Sequence, residues 1–184
     1  INATVSNNTI SNLGYSGVAT TGNAYGIWVE SANSLSNVTV SGNTIDGFTS
    51  SGAATTVGTT GIYVSGATAG VTIEKNIIRN MKQTNTTGYG ASGIQLSSTS
   101  ATANISVRNN MISDIAAYGK ATAGVADNGY GIVVSNGAGY GIYYNSIHLN
   151  TNQTLVGGLP AAINITSGVS AAGAIDLRNN IFAN

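Results

Sequence analysis

The sequence predicts an all-β chain wound as a parallel β-helix, a solenoid of about five coils of ~34 residues with three short strands per coil. Three observations predict it. An Asn-centred motif recurs six times, a Gly-Ile motif recurs between its copies, and turn-forming residues fill half the chain. Gly 25, Asn 23, Ser 20 and Thr 22 make 90 of 184 residues, yet 42% of the chain is hydrophobic. Disorder needs low hydrophobicity and usually high charge, so this composition points to many short strands between turns.

The first two strands of each coil lie in the pattern apolar-x-apolar-x-x-Asn-x-apolar. It runs Ala3-Thr-Val5-Ser-Asn-Asn8-Thr-Ile10, then Val38 to Ile45, Val71 to Ile78, Ile105 to Ile112, Tyr140 to Ile147 and Ile175 to Phe182. The motif asparagines are Asn8, Asn43, Asn76, Asn110, Asn145 and Asn180, spaced 35, 33, 34, 35 and 35 residues apart. Alternation turns Val38 and Val40 inward and Thr39 outward. The third strand is Gly-Ile-x-apolar: Gly26 to Val29, Gly61 to Val64, Gly93 to Leu96 and Gly131 to Val134, with Ala162 replacing Gly in the fifth copy. Here Ile27 and Val29 face in and Trp28 faces out. Strands that recur once per coil stack on their own equivalents, which makes the sheets parallel. Ile45, Ile78, Ile112 and Ile147 are expected to form one core column.

The Asn at fixed phase is expected to build a structural ladder. It tolerates the left-handed conformation at a sharp bend and carries an amide that can bond its equivalent in the next coil. The turn before the Gly-Ile strand varies in length, so coil-specific function is expected in loops such as Tyr118 to Tyr130 and Thr151 to Ala161.

Composition excludes several functions. Only 7% of residues are charged, six basic against six acidic, so no basic stripe for nucleic acid is expected. Zero Cys removes disulfides, thiolate metal sites and thiol catalysis. No apolar run approaches the ~18 residues of a membrane span. Neither membrane insertion nor a signal peptide is expected within residues 1–184, which read as a single β-helix domain.

The repeat wording, Gly-Ile-x-Val followed by Val-Thr-Ile-x-x-Asn-x-Ile, resembles the right-handed parallel β-helix of the pectate-lyase-like superfamily over essentially the whole chain. Gly141-Ile-Tyr-Tyr-Asn-Ser-Ile-His148 and Ile175-Asp-Leu-Arg-Asn-Asn-Ile-Phe182 are similar to repeats in very large secreted or surface proteins of Bacteroidota-type bacteria. That resemblance implies an extracellular or cell-surface location in a bacterium. It also directs a search for the superfamily's catalytic motifs. The hydrolase branch uses Asn-Thr-Asp, Asp-Asp, Gly-His-Gly and Arg-Ile-Lys, and none occurs. Asn43-Thr44 is followed by Ile45, and the single His148 lies between Ile147 and Leu149. The lyase branch needs converging carboxylates for calcium, whereas the six acidic residues here fall at different phases. No catalytic residue, metal ligand or cofactor is therefore expected.

The charges have a structural reading. Glu74 with Arg108, and Asp46 with Arg79, share outward columns of adjacent coils and should form vertical ion pairs of about 0–1 kcal/mol. Asp114, Asp127, Asp176 and Glu30 have no partner in this scheme. Trp28 and Tyr63 are consecutive outward residues of the Gly-Ile strands and should stack on one face. Aromatic faces suit sugar rings, so Trp28, Tyr63, Tyr143 and Tyr144 are carbohydrate-binding candidates, with cross-strand packing as the preferred reading of all four.

The first expectation for function is a non-catalytic structural or adhesive segment of a large extracellular repeat protein. The alternative is a carbohydrate-active or carbohydrate-binding β-helix with an atypical site. Ile1 to Val5 reads as a strand of the first sheet and Asn184 follows the phase of the second, with no capping helix at either end. The expected partners are further coils of the same protein or like subunits stacked end to end, with polysaccharide as a further candidate.

Overall fold

A computed structural model describes residues 2–16, 23–32, 36–52, 58–86, 90–118, 128–150, 153 and 158–183. Most of the two long variable loops singled out above, and Asp127, lie outside the described residues. Three parallel sheets run side by side along the coil axis. Sheet A stacks six strands: Ala3–Ser6, Val38–Ser41, Val71–Glu74, Ile105–Arg108, Tyr140–Tyr143 and Ile175–Arg178. Sheet B stacks Thr9–Ser11, Thr44–Ser50, Ile77–Gln83, Met111–Ala116, Ser146–His148 and Ile181–Ala183, and Gly14–Tyr15 also pairs with Thr44–Ser50. Sheet C stacks Ala24–Ser31, Thr59–Gly66, Ala91–Leu96, Gly129–Val134 and Ala161–Ile165. Every pairing is parallel and joins residues one coil apart, as in Ile78 with Ile112 and Ile112 with Ile147. This is the architecture the repeat predicts.

The core is a set of columns along the axis. Ile45, Ile78, Ile112 and Ile147 from sheet B are at most 1% exposed. Val40, Ile73, Val107 and Ile142 from sheet A, and Ile62, Ile94 and Ile132 from sheet C, are fully buried. Tyr140 takes the place of Val or Ile in its column, and its hydroxyl donates to the Asn136 carbonyl at 2.6 Å. Burial pushes its pKa up to about 12, so the phenol stays protonated in that role.

The glycine of the Gly-Ile strand is set by packing rather than by φ. A Cβ on Gly93 would lie 2.6 Å from Ile112 Cγ2 and 2.7 Å from the Gly131 carbonyl oxygen. Gly26, Gly61 and Gly131 meet Ile45, Ile78 and Ile147 in the same way. Sheets B and C thus approach closely at these four coils, with the isoleucine methyl filling the space a side chain would need. Gly93→Ala is expected to destabilise the protein by about 1–3 kcal/mol through overpacking, measured by chemical denaturation. An unchanged midpoint would show that the two sheets can separate freely.

The bend between sheets A and B corrects one expectation. The motif Asn is not the left-handed residue. Positive φ falls one position earlier, on Asn7 (57°), Gly42 (65°), Lys75 (57°), Asn109 (55°), Tyr144 (56°) and Asn179 (54°). Turning the backbone there leaves the following Asn free to point inward and bond along the axis. A side chain with a Cβ is strained at this φ, so Lys75→Gly is expected to raise stability by about 0.5–1 kcal/mol. A lower denaturation midpoint for that variant would contradict this account.

Candidate functional site

Two arrangements concentrate the polar chemistry. The first is an amide ladder inside the coil. Each motif Asn donates its backbone N–H and its Nδ2 to the Oδ1 of the next one: Asn8 to Asn43 at 3.0 and 2.9 Å, and Asn43 to Asn76 at 3.0 and 3.0 Å. Asn76 to Asn110, Asn110 to Asn145, and Asn145 to Asn180 repeat the pattern at 2.9–3.0 Å. The second Nδ2 hydrogen reaches back one coil, from Asn110 to the Ile73 carbonyl at 3.0 Å and from Asn145 to the Val107 carbonyl at 2.9 Å. Asn43, Asn76, Asn110 and Asn145 are at most 1% exposed. Each buried amide therefore spends its donors and its oxygen on neighbouring coils, as buried polar groups require.

The second arrangement is a groove of about 360 Å³ on the outer face of sheet C, crossing all five of its strands. Tyr25 and Tyr63 stack at its end in the first coils, with ring centroids 4.8 Å apart and planes 16° apart. Trp28 tilts against both, at 5.3 Å from Tyr25 and 6.0 Å from Tyr63. Its indole N–H donates to Ser65 Oγ at 2.7 Å, which fixes the ring while leaving it 55% exposed. The floor carries Thr60 and Ser92, whose hydroxyls bond each other at 2.9 Å, and the half-buried amides of Gln95 and Asn164 follow along it. Among the described residues, no Asp, Glu, Lys or Arg lines the groove.

The structure brings Trp28 and Tyr63 together but places Tyr143 and Tyr144 elsewhere, at the bend after sheet A. Tyr143 lies across Gly141, and its hydroxyl donates to Asp176 at 3.0 Å. Tyr144 adopts the left-handed backbone, so its side chain leaves the alternation of the strand and is 59% exposed. The four aromatics do not form one surface. Tyr25 joins the cluster instead, and strict alternation hides it. Counting back from the outward Trp28, Tyr25 should face in. The pairing between the first two strands of sheet C skips Gly26 and Gly61, and Gly26 turns its Cβ direction to Ile45, which moves Tyr25 to the outer face. Tyr-Gly-Ile occurs at Tyr25, Tyr130 and Tyr140, and because Tyr140 is buried in the core the tripeptide by itself gives no signal for an outward ring.

The charged columns close as ion pairs, Arg79 with Asp46 at 2.9 Å and Arg108 with Glu74 at 2.8 Å. Asp176, read from the sequence as unpartnered, is a correction. It accepts from Arg178 Nε at 2.6 Å and from the Tyr143 hydroxyl. Arg178 lies two residues on in the same strand, on the same face, a within-strand neighbour that the coil-to-coil column count does not consider. The hydrogen bond from Arg178, with that from Tyr143, holds the Asp176 carboxyl below its ordinary value.

Asp46 is likewise held below its ordinary 3.8, first by the Asn80 amide and then by Arg79. A carboxyl whose folded pKa is depressed adds stability above its unfolded pKa, and that stability is lost as pH falls through the folded value. Stability is therefore expected to hold steady from pH 7 to 5 and to drop below about pH 4. Because the pair is exposed, the drop should be small. Asp46→Asn should flatten part of it in denaturation midpoints measured against pH. An identical profile in parent and variant would remove Asp46 from the account.

Compared with known proteins, residues 1–182 match the profile of a family described as a right-handed beta helix region. No curated protein and no solved structure matches the chain.

Proposed function

The chain belongs to the right-handed β-helix family, and from that premise we propose that it is a non-catalytic structural and adhesive segment of a large extracellular or cell-surface repeat protein. The observation that carries this reading is the amide ladder. Polar groups that could serve chemistry are instead committed to binding coil to coil along the full axis. Such a rod holds a surface at a distance and resists unfolding, because each coil is stabilised chiefly by its two neighbours.

The same geometry supports the partner. The ladder has a direction: every step donates toward the higher-numbered coil. Phe182, in the Ile181–Ala183 strand of sheet B, is 40% exposed. Coils of the same kind, from this protein or from like subunits, would continue the ladder in that direction. Sedimentation velocity of the chain should show self-association that rises with concentration and weakens in Phe182→Asp. A monomer at every concentration would leave no role for like subunits.

The second reading is a carbohydrate-binding or carbohydrate-active β-helix, favoured by the aromatic-walled groove of sheet C. The adhesive part of the proposal places its contact there. Incubation with acidic and neutral polysaccharides, followed by assays for new reducing ends and unsaturated products, separates binding from catalysis. Turnover abolished by a single polar substitution in the groove would overturn the non-catalytic reading.

A further inference from the structure

The groove of sheet C has a chemistry that selects among ligands. Its described lining combines tyrosine rings, hydroxyls and side-chain amides, and no ionised group. An acidic polymer seated there would give up hydration with no cation among the described lining residues to replace it, a cost that buried charge cannot avoid without a partner. A peptide strand docks on an open sheet edge, where backbone donors and acceptors are unpaired. The three inner strands of this sheet, Thr59–Gly66, Ala91–Leu96 and Gly129–Val134, are paired on both sides. A ligand here has to bond through side chains alone.

The spacing is equally informative. Outward groups from successive strands recur about every 4.8 Å along the axis. Tyr63, Gln95, Val133 and Asn164 occupy one such column, one residue per coil. That interval is close to the advance of one pyranose unit in an extended chain, so consecutive sugar rings would meet equivalent positions of consecutive coils. The Tyr63 ring is stacked on Tyr25, so little ordering is left for binding. Its apolar face suits the C–H face of a sugar, and the amides of Gln95 and Asn164 can both donate to and accept from hydroxyls. The groove volume of about 360 Å³ lies in the range of ordinary ligand sites.

From this we infer that the sheet C groove binds an extended, uncharged oligosaccharide lying along the coil axis, with Tyr63 as the stacking platform and Gln95 and Asn164 as hydroxyl readers. The inference rests on the adhesive half of the function proposed above and names its ligand class.

The experiment is calorimetric titration of the intact chain with xylohexaose, cellohexaose and hexagalacturonic acid at low and high salt. At least one uncharged hexaose is expected to bind with an affinity that salt leaves unchanged, since no ion pair is involved. Hexagalacturonic acid should bind at least about tenfold more weakly. Tyr63→Ala and Gln95→Ala should each weaken the uncharged ligand by about tenfold, while Met111→Ala on sheet B should not. Gln95→Lys should gain affinity for hexagalacturonic acid, a readout that survives if Tyr63→Ala fails to fold. Absence of binding by both uncharged hexaoses, equal or tighter binding of the acidic one, or indifference to Gln95→Ala and Gln95→Lys would each overturn the assignment. None of these results bears on self-association, so failure here is distinguishable from failure of the structural reading.

Discussion

Asn110→Ala is expected to lower stability by roughly 3–5 kcal/mol. Three groups lose their partners at once. The backbone N–H and the Nδ2 of Asn76 both donate to Asn110 Oδ1, and the Ile73 carbonyl accepts from Asn110 Nδ2. All three bonds are buried inside the coil. An unsatisfied buried polar group costs about 1–3 kcal/mol, and neighbouring losses add incompletely. Asn145→Ala should behave alike, because it orphans Asn110 and the Val107 carbonyl in the same way. Asn85→Ala is the control. Its amide donates to the Ser51 carbonyl in a solvent-exposed setting, and a loss there should stay within about 1 kcal/mol. Chemical denaturation measures the cost, and hydrogen exchange should localise it to the coils on either side of the substitution. Equal midpoints for all three variants and the parent would show that the ladder bonds contribute nothing net.

Ile112→Ala is expected to cost about 2–5 kcal/mol. The side chain is 1% exposed, sits between Ile78 and Ile147 in its column, and its Cγ2 closes against Gly93. Removing it opens a cavity at the point where sheets B and C approach most closely. Neither neighbour can slide in, because each is fixed by the same contact with its own glycine. Met111, one residue away and 61% exposed, faces solvent. Met111→Ala should change stability by no more than about 0.5 kcal/mol. The contrast between adjacent positions tests the inward register directly. A larger loss at Met111 than at Ile112 would invert it.

Much of this protein was legible in its sequence because a solenoid repeats one local problem. Every coil presents the same phases to the same neighbours, so a residue's column can be read from its place in the period. That is why the three strands, the isoleucine column, the position of each motif Asn and the Asp46–Arg79 and Glu74–Arg108 pairs could be placed by counting. Glycine in the Gly-Ile strand was visible as a pattern, but its cause lay in Ile112 and its equivalents, which approach it from another sheet.

Only the tertiary structure decided the features in which one coil departs from the next. The left-handed residue proved to be the one before the motif Asn, because the amide must be freed to point along the axis. Tyr25 reached the outer face because the strand breaks its alternation at Gly26 to admit Ile45. Asp176 found Arg178 within its own strand and Tyr143 across Gly141. The groove exists because Tyr25, Tyr63, Gln95 and Asn164, far apart in the chain, fall side by side on one sheet. Periodicity fixes which way a regular strand faces. It carries no information about a local irregularity or about side chains that meet across coils, since those depend on distances that only the folded backbone sets.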